Sequence, residues 1–321
     1  MPVTITAGIT FSGGGLTMAF APPSIATAGW VAGGGYTIVS TVNRIIFATD
    51  TATSSVRGPL AIARRVAAGS GTMTYGWFGG GYTPASYTSS VDRITYATDT
   101  ATASARGPLT SARYFLASTS DGSTYSWFGG GLGGLTTIDR ITYATDTATA
   151  SLRGPLSTGR YEPAATGTSS YGWFAGGYLP GTPTLGAKST VQRITYATDT
   201  DTASVRGPLS STRYGAAAAT DRSTYGWIAG GQAAPAISIV NRITYATDTD
   251  IASVRGPLVS GRFLAAGVCD NTYGWFAGGT DASDITTVTR ITYATDTATS
   301  TNRGNINASS TQGVAGSSGI Q

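Results

Sequence analysis

Histidine is absent from this chain of 321 residues, and cysteine, lysine and glutamate occur once each, as Cys269, Lys188 and Glu162. Without histidine no Ser-His-Asp or Cys-His catalytic arrangement can form, and the commonest metal ligand is missing. Zinc sites are built from clusters of Cys and His, which the chain cannot supply. We therefore expect a protein that is not an enzyme and that has no metal site and no cofactor.

Long apolar runs are absent as well. No stretch reaches the roughly 18 apolar residues of a membrane-spanning helix, so we expect no membrane insertion. No basic region followed by an apolar run begins the sequence, so a signal peptide is not indicated. One cysteine cannot form an intrachain disulfide, and Cys269 is expected to be a small, buried, apolar side chain.

Short β-prone runs and turns dominate what is present. The chain holds 45 glycines and is rich in threonine, serine and alanine, whereas charged helix formers are scarce. This composition is typical of many short strands joined by glycine-rich turns. We predict an all-β fold.

One block, Arg-Ile-Thr-Tyr-Ala-Thr-Asp-Thr, recurs six times, with a variant in the first copy. Its arginine lies at Arg44, Arg93, Arg140, Arg193, Arg242 and Arg290. Successive copies are 47 to 53 residues apart, and self-similarity at such a period is typical of a stacked or circular repeat protein.

Each repeat contains four β-prone runs, here named strands a, b, c and d. In the third copy they span about residues 113–118, 124–130, 138–147 and 149–156. Four antiparallel strands repeated around an axis make a β-propeller. We therefore predict a six-bladed propeller over residues 26–321, in which the alanine-rich a strands form the wall of the central channel.

Strands b, c and d occur six times, but strand a occurs only five times between them. The C-terminal segment from Gln312 onward aligns with strand a, and the first b strand, around Trp30, has no a strand before it. We expect the C-terminal strand to complete the first blade, which closes the ring and removes exposed strand edges.

The six tryptophans occupy one position in strand b, and a residue this large at one place in each repeat indicates packing between neighbouring sheets. They are Trp30, Trp77, Trp127, Trp173, Trp227 and Trp275. In strand c, period-two alternation places Ile94 and Tyr96 on one face and Arg93 on the other. The strand c arginines are expected to be structural too.

The chain has a net charge of +4, and most of its basic residues occur at fixed positions of the repeat. Seventeen of the arginines lie at three fixed repeat positions, so we expect them to pair within each unit, with the Asp of the repeated block as partner. This argues against nucleic acid as a ligand. The runs Asp199-Thr-Asp201 and Asp248-Thr-Asp250 are interpreted as solvated turns rather than calcium sites.

The order of arginine, small apolar strand, aromatic, Gly-Gly, variable loop and tyrosine resembles the kelch repeat. The matching glycine pairs begin at Gly79, Gly129, Gly176, Gly230 and Gly278. The matching tyrosines are Tyr96, Tyr143, Tyr196, Tyr245 and Tyr293. The tryptophan departs from that pattern, because kelch repeats commonly place it between the third and fourth strands. The resemblance implies a propeller and little about function.

Recognition is expected in the loops between strands b and c, because these vary in length and sequence while the c–d and d–a connections barely vary. The candidate ligand-binding residues are Tyr82, Tyr87, Tyr178 and Lys188. The three tyrosines are suited to stacking on sugar rings or equally to being ordinary loop tyrosines, and Lys188 is the single lysine, in the longest of these loops.

Residues 1–25 lie outside the repeat and resemble N-terminal segments of structural proteins of tailed bacteriophages. This resemblance implies a structural protein of the virion that is not an enzyme and that joins other virion proteins through residues 1–25. Val3 and Ile5, which alternate with threonines, are suited to adding a strand to a partner's sheet. The alternative is a lectin or adhesin that reads host glycans with the b–c loops. Homo-oligomerisation stays open.

Overall fold

The computed structural model describes residues 9–12, 15–18, 26–180, 186–233, 235–307 and 311–318. Six four-stranded antiparallel sheets are arranged as the blades of a propeller, with strand a innermost and strand d outermost. The prediction of an all-β, six-bladed propeller is confirmed. In addition, Ile9–Ser12 and Gly15–Met18 form a two-stranded hairpin that belongs to none of the blades.

The strand bounds repeat closely from blade 1 to blade 6. The a strands are Ala315–Ser318, Ala68–Gly71, Ala117–Ser120, Ala164–Gly167, Ala217–Thr220 and Ala266–Cys269. The b strands are Ala28–Ala32, Tyr75–Gly79, Tyr125–Gly129, Tyr171–Ala175, Tyr225–Ala229 and Tyr273–Ala277. The c strands are Val42–Ile46, Val91–Thr95, Ile138–Thr142, Val191–Thr195, Val240–Thr244 and Thr287–Thr292. The d strands are Ser55–Arg57, Ser104–Arg106, Ser151–Arg153, Ser204–Arg206, Ser253–Arg255 and Thr301–Asn305.

Short elements complete the chain. A one-turn 3₁₀ helix follows each c strand: Phe47–Thr49, Tyr96–Thr98, Tyr143–Thr145, Tyr196–Thr198, Tyr245–Thr247 and Tyr293–Thr295. Two b–c loops contain small hairpins, Tyr178–Leu179 with Gly186–Ala187 and Thr280–Asp281 with Ser283–Asp284. Within the described ranges no helix has the length and apolarity needed to cross a membrane.

The C-terminal strand closes the ring as the sequence predicts. Ala315–Ser318 pairs antiparallel with Ala28–Ala32, from Ala32 opposite Ala315 to Gly29 opposite Ser318. The first and last described parts of the repeat therefore share blade 1, so the ring of sheets has no gap.

Small residues in strand a are required by the crowding at the axis. The six a strands line a narrow channel with side chains such as Ala68, Ala117 and Ala164. A Cβ atom on Gly69 would collide with the backbone of the neighbouring strand at Gly316. Cys269, at the end of strand a in blade 6, is fully buried, and burial raises the pKa of its thiol to about 11.

Neighbouring blades are joined by a buried aromatic stack and a carboxylate. At the junction of blades 2 and 3, Trp77 stacks on Tyr143 with ring centroids 4.1 Å apart. The indole Nε1–H of Trp77 donates to Asp146 Oδ2 over 2.8 Å. The same oxygen accepts from Arg93 Nη1 at 2.9 Å and lies 3.5 Å from Arg106 Nε. One carboxylate of blade 3 thus holds three groups of blade 2.

This arrangement is present at all six junctions. The tryptophan and aspartate pairs are Trp30–Asp99, Trp77–Asp146, Trp127–Asp199, Trp173–Asp248, Trp227–Asp296 and Trp275–Asp50, at 2.7–2.9 Å. The expectation that these arginines pair within each unit was therefore wrong: strands c and d supply cations to the aspartate of the next blade.

The alternation proposed for strand c was also wrong at its end. The strand stops at Thr95, and Tyr96 begins the 3₁₀ turn, from which its ring stacks on Trp30 of the preceding blade at 3.7 Å. Ile94 alone is the buried strand residue of that pair.

A backbone bond reinforces each junction. The glycine after the strand d arginine donates its N–H to the carbonyl of the same aspartate, as Gly107 does to Asp146 over 2.8 Å. A Cβ on Gly107 would collide with the carbonyl of Ala148, so only glycine allows the chains to approach this closely. This explains the Arg-Gly pair in every repeat.

The arginine that precedes strand a is buried in blades 2 to 6. Arg64 bonds the carbonyls of Gly80 and Ser90 and pairs with Asp92, all in its own blade. Arg160 bonds carbonyls instead of a carboxylate, and burial lowers its pKa to about 10. In both blades the two carbonyls lie at opposite ends of the b–c loop, so Arg64 and Arg160 tie the ends of the loop together.

Candidate functional site

One face of the propeller carries the variable loops. The register places the start of strand a, the end of strand b, the start of strand c and the end of strand d at the same side of each blade, as in Ala68, Gly79, Val91 and Arg106. This side, here called the loop face, therefore gathers the b–c loops and the residues that lead into strand a.

Seven aromatic side chains form a continuous arc on the loop face across blades 2 to 5. The aromatic arc consists of Tyr82, Tyr87, Tyr114, Phe115, Tyr161, Tyr178 and Tyr214. Adjacent ring centroids are 4.9–5.9 Å apart. Such distances are those of ring pairs in contact, so the arc is one surface rather than seven separate side chains.

The structure brings the three predicted tyrosines into this arc. Tyr82 and Tyr87 contact Tyr114 at its blade 2 end, and Tyr178 lies between Tyr161 and Tyr214 at the other. Exposure was overestimated: only Tyr87, with 55% of its surface exposed, projects into solvent, whereas the other two are half-buried.

Lys188 lies beside the arc on the returning strand of the blade 4 loop. Its backbone pairs with Gly177 and Arg213, and the neighbouring Ala187 pairs with Tyr178. The middle of this loop, residues 181–185, lies outside the described residues.

Sequence reasoning missed four members of the arc, because they come from the approach to strand a and not from the loops. Each of Tyr114, Tyr161 and Tyr214 directly follows a buried arginine, and Phe115 follows Tyr114. The recurrent Arg-aromatic pair was a usable signal, since a buried arginine forces the next side chain toward the surface.

A cleft opens at the blade 2 end of the arc. Its lining includes Tyr87, Tyr114, Leu132 and Leu135, around a volume of about 260 Å³. The cleft combines aromatic faces with aliphatic side chains, which is the lining that small-molecule sites favour.

The channel is constricted just below the arc by a circle of backbone hydrogen bonds. Its members are Val66, Phe115, Glu162, Gly215, Leu264 and Gly313, all with positive φ of 50–67°. Each N–H donates to the carbonyl of the preceding member over 2.6–3.0 Å, and the circle closes where Val66 N–H donates to the carbonyl of Gly313. Left-handed backbone is strained for a β-branched residue such as Val66, so the closed circle must hold it there.

Glu162 is the one acidic member of this circle. Its side chain is buried, its Oε2 has no hydrogen-bond partner, and desolvation raises its pKa to about 8. Burial, reinforced by the nearby Glu162 charge, raises the pKa of Tyr161 to about 12 and that of Tyr214 above its usual range. The hydroxyls of Tyr161 and Tyr214 therefore stay protonated and able to donate at neutral pH.

This face offers binding groups rather than metal ligands. Among the residues that the structure describes, no three His, Cys, Asp or Glu side chains come together as a metal site requires. The interpretation of the Asp-Thr-Asp runs as solvated turns holds only for the second aspartate: Asp201 and Asp250 are exposed, whereas Asp199 and Asp248 are buried acceptors at the blade junctions.

Comparison of the sequence with models of protein families and with curated proteins finds no match. The similarity to kelch repeats is therefore one of repeat pattern and propeller architecture.

Because burial raises the pKa of Glu162, we expect the free energy of unfolding to fall as the pH rises. The folded protein holds this proton up to about pH 8, whereas the unfolded chain releases it near pH 4.5, so the stabilisation is complete below pH 4.5 and is lost as the pH approaches 8. We expect Glu162→Gln to remove about 2–4 kcal/mol of pH dependence from the free energy of unfolding between pH 5 and 9. Urea titrations across this range measure it, with Asp250→Asn as an exposed control; identical profiles for the wild type and Glu162→Gln would contradict it.

Proposed function

We propose that this protein is a non-catalytic binding module that recognises carbohydrate through the aromatic arc. The observation that carries the proposal is the arc itself, a run of seven contacting rings on a rigid scaffold. A sugar ring presents C–H groups on its faces and hydroxyls at its edge, so aromatic faces that also carry phenol hydroxyls complement both. The arc spans four blades, which suits a chain of sugar units better than a single one.

The scaffold favours binding because it holds the rings in place before a ligand arrives. Tyr82 and Tyr178 each pair through the backbone with the approach to strand a, at Arg65 and Tyr161. The guanidinium of Arg65 also lies 5.4 Å from the Tyr82 ring centroid. Ordered aromatic side chains lose little conformational entropy on binding, which improves affinity.

A second candidate function is that of a virion structural protein that joins its assembly through residues 1–25. The hairpin Ile9–Ser12 and Gly15–Met18 supports it, because these strands belong to no blade and are free of the ring's own pairing. The stretch containing Val3 and Ile5, proposed to add to a partner's sheet, lies outside the described residues. The two functions are compatible, since glycan recognition by the loop face and anchoring by residues 1–25 use different parts of the chain.

Carbohydrate recognition is tested with an array of bacterial surface polysaccharides. We expect the wild type to bind at least one, and Tyr114→Ala to weaken that binding by about tenfold or more, because truncating a central aromatic residue of an interface costs about 2 kcal/mol. Tyr36→Ala is the matched control: Tyr36 is 75% exposed on the blade 1 loop of the same face but outside the arc. A folded wild type that binds no polysaccharide, or equal losses in the two variants, would overturn the proposal.

Anchoring by residues 1–25 predicts a separable assembly function. A chain beginning at residue 26 should keep the circular dichroism and thermal stability of the propeller, since the six blades lie within the remainder. We expect it no longer to co-sediment with particles that incorporate the full chain. Normal incorporation of the shortened chain would rule out anchoring by this segment.

A further inference from the structure

Five of the six blades place a tyrosine at the start of strand b, on the side that faces the next blade. These tyrosines are Tyr75, Tyr125, Tyr171, Tyr225 and Tyr273. Each ring packs at 59–66° to the plane of the tryptophan two residues later, with centroids 5.6–5.9 Å apart. Each also lies beneath the guanidinium of the strand c arginine, at 4.1–4.5 Å. The junction thus contains a defined binding position for a phenol ring.

Blade 1 has alanine at this position. Ala28 pairs with Ile46 in the register in which Tyr75 pairs with Thr95. The space that a tyrosine ring fills elsewhere is a cleft of about 390 Å³. The lining of this Ala28 cleft includes Trp30, Arg44, Ile46, Met73 and Tyr96.

The two groups that hold the ring in other blades are more accessible here. Trp30 is 6% exposed, whereas the other five tryptophans are at most 1% exposed. The side chain of Arg44 is 25% exposed, compared with 17–20% for its counterparts. A ring placed in the Ala28 cleft would therefore cover the edge of an indole and the face of a guanidinium.

The rim of the Ala28 cleft carries two large apolar side chains. Ile46 stands where the other c strands have threonine, and Met73 stands where the turns before the b strands of blades 3 to 6 have serine or asparagine and the turn of blade 1 has Ala26. Both are substantially exposed, Ile46 by 41% and Met73 by 37%. Two independent substitutions from polar to apolar beside the one missing tyrosine indicate a surface that is covered by an apolar group.

We propose that the Ala28 cleft binds a tyrosine side chain of a partner chain, placed as the protein's own tyrosines are placed at the other five junctions. The cleft lies on the face opposite the aromatic arc, so this site is independent of carbohydrate recognition. Arg44 contributes a cation–π contact and Trp30 an edge contact to the bound ring. Apolar cover for Ile46 and Met73 adds to these.

The side chain analogue p-cresol and the peptide analogue N-acetyl-L-tyrosinamide test the proposal. Each is titrated to about 10 mM into ¹⁵N-labelled full-length protein, following the indole N–H of Trp30 and the Nε–H of Arg44. We expect saturable shifts at both for each compound. Ala28→Tyr fills the cleft from within and should abolish these shifts while raising the thermal stability.

Two further variants keep the test decisive if Ala28→Tyr does not fold. The double variant Ile46→Thr, Met73→Ser restores the rim of the other junctions and should weaken binding several-fold. Tyr125→Ala creates a second cleft and should add a saturable shift at Trp127. No saturable shift at Trp30, or binding retained by Ala28→Tyr, would overturn the proposal. Binding of p-cresol without N-acetyl-L-tyrosinamide would overturn the assignment to a side chain.

Discussion

The aspartate carboxylate at each blade junction is the group on which the rest of the structure depends. Its Oδ2 accepts the indole N–H of the preceding blade at 2.7–2.9 Å and a guanidinium N–H at 2.9–3.1 Å. A buried indole N–H without an acceptor costs about 1–3 kcal/mol, and two neighbouring guanidinium groups without a counter-charge repel each other. One oxygen removes both penalties, and because it belongs to the next blade, it does so only when the two blades are docked.

Because the junction contacts come from a few repeated side chains, residues on the loop face and at one end of blade 1 can differ from the repeat and bind ligands. Strands b, c and d with the following turn supply the tryptophan, arginine and aspartate contacts of each junction, whereas the residues leading into strand a join neighbouring blades through backbone hydrogen bonds. The ring side chains of the aromatic arc take no part in the aspartate contacts. Blade 1 departs from the repeat at three positions, where Ala28, Ile46 and Phe47 replace tyrosine, threonine and tyrosine. The junction contact is kept, because Trp275 stacks on Phe47 with ring centroids 3.9 Å apart.

The fold could be predicted from the sequence because a sixfold repeat with one aromatic per copy has few solutions, and because the segment after Gln312 aligns with the missing strand. The partner of each aspartate could not be predicted, because every copy offers an equivalent arginine. A repeated sequence does not distinguish a salt bridge within one repeat from a salt bridge to the next repeat. The arc was predicted only in part, at Tyr82, Tyr87 and Tyr178. Its remaining rings adjoin them through the radial placement of the a strands, which bring Tyr114, 27 residues beyond Tyr87, into contact with it.

The most direct measurement of the role of the junction compares two aspartates of one turn. Asp199 is the buried acceptor of Trp127 and Arg140, whereas Asp201, two residues later, is exposed. Urea unfolding of Asp199→Asn should show a loss of about 2–3 kcal/mol, because the shape is kept and the charge facing two arginines is removed. Asp201→Asn should lie within about 0.5 kcal/mol of the wild type. Equal stabilities of the two variants would contradict the account, since the carboxylate would then not hold the blades together.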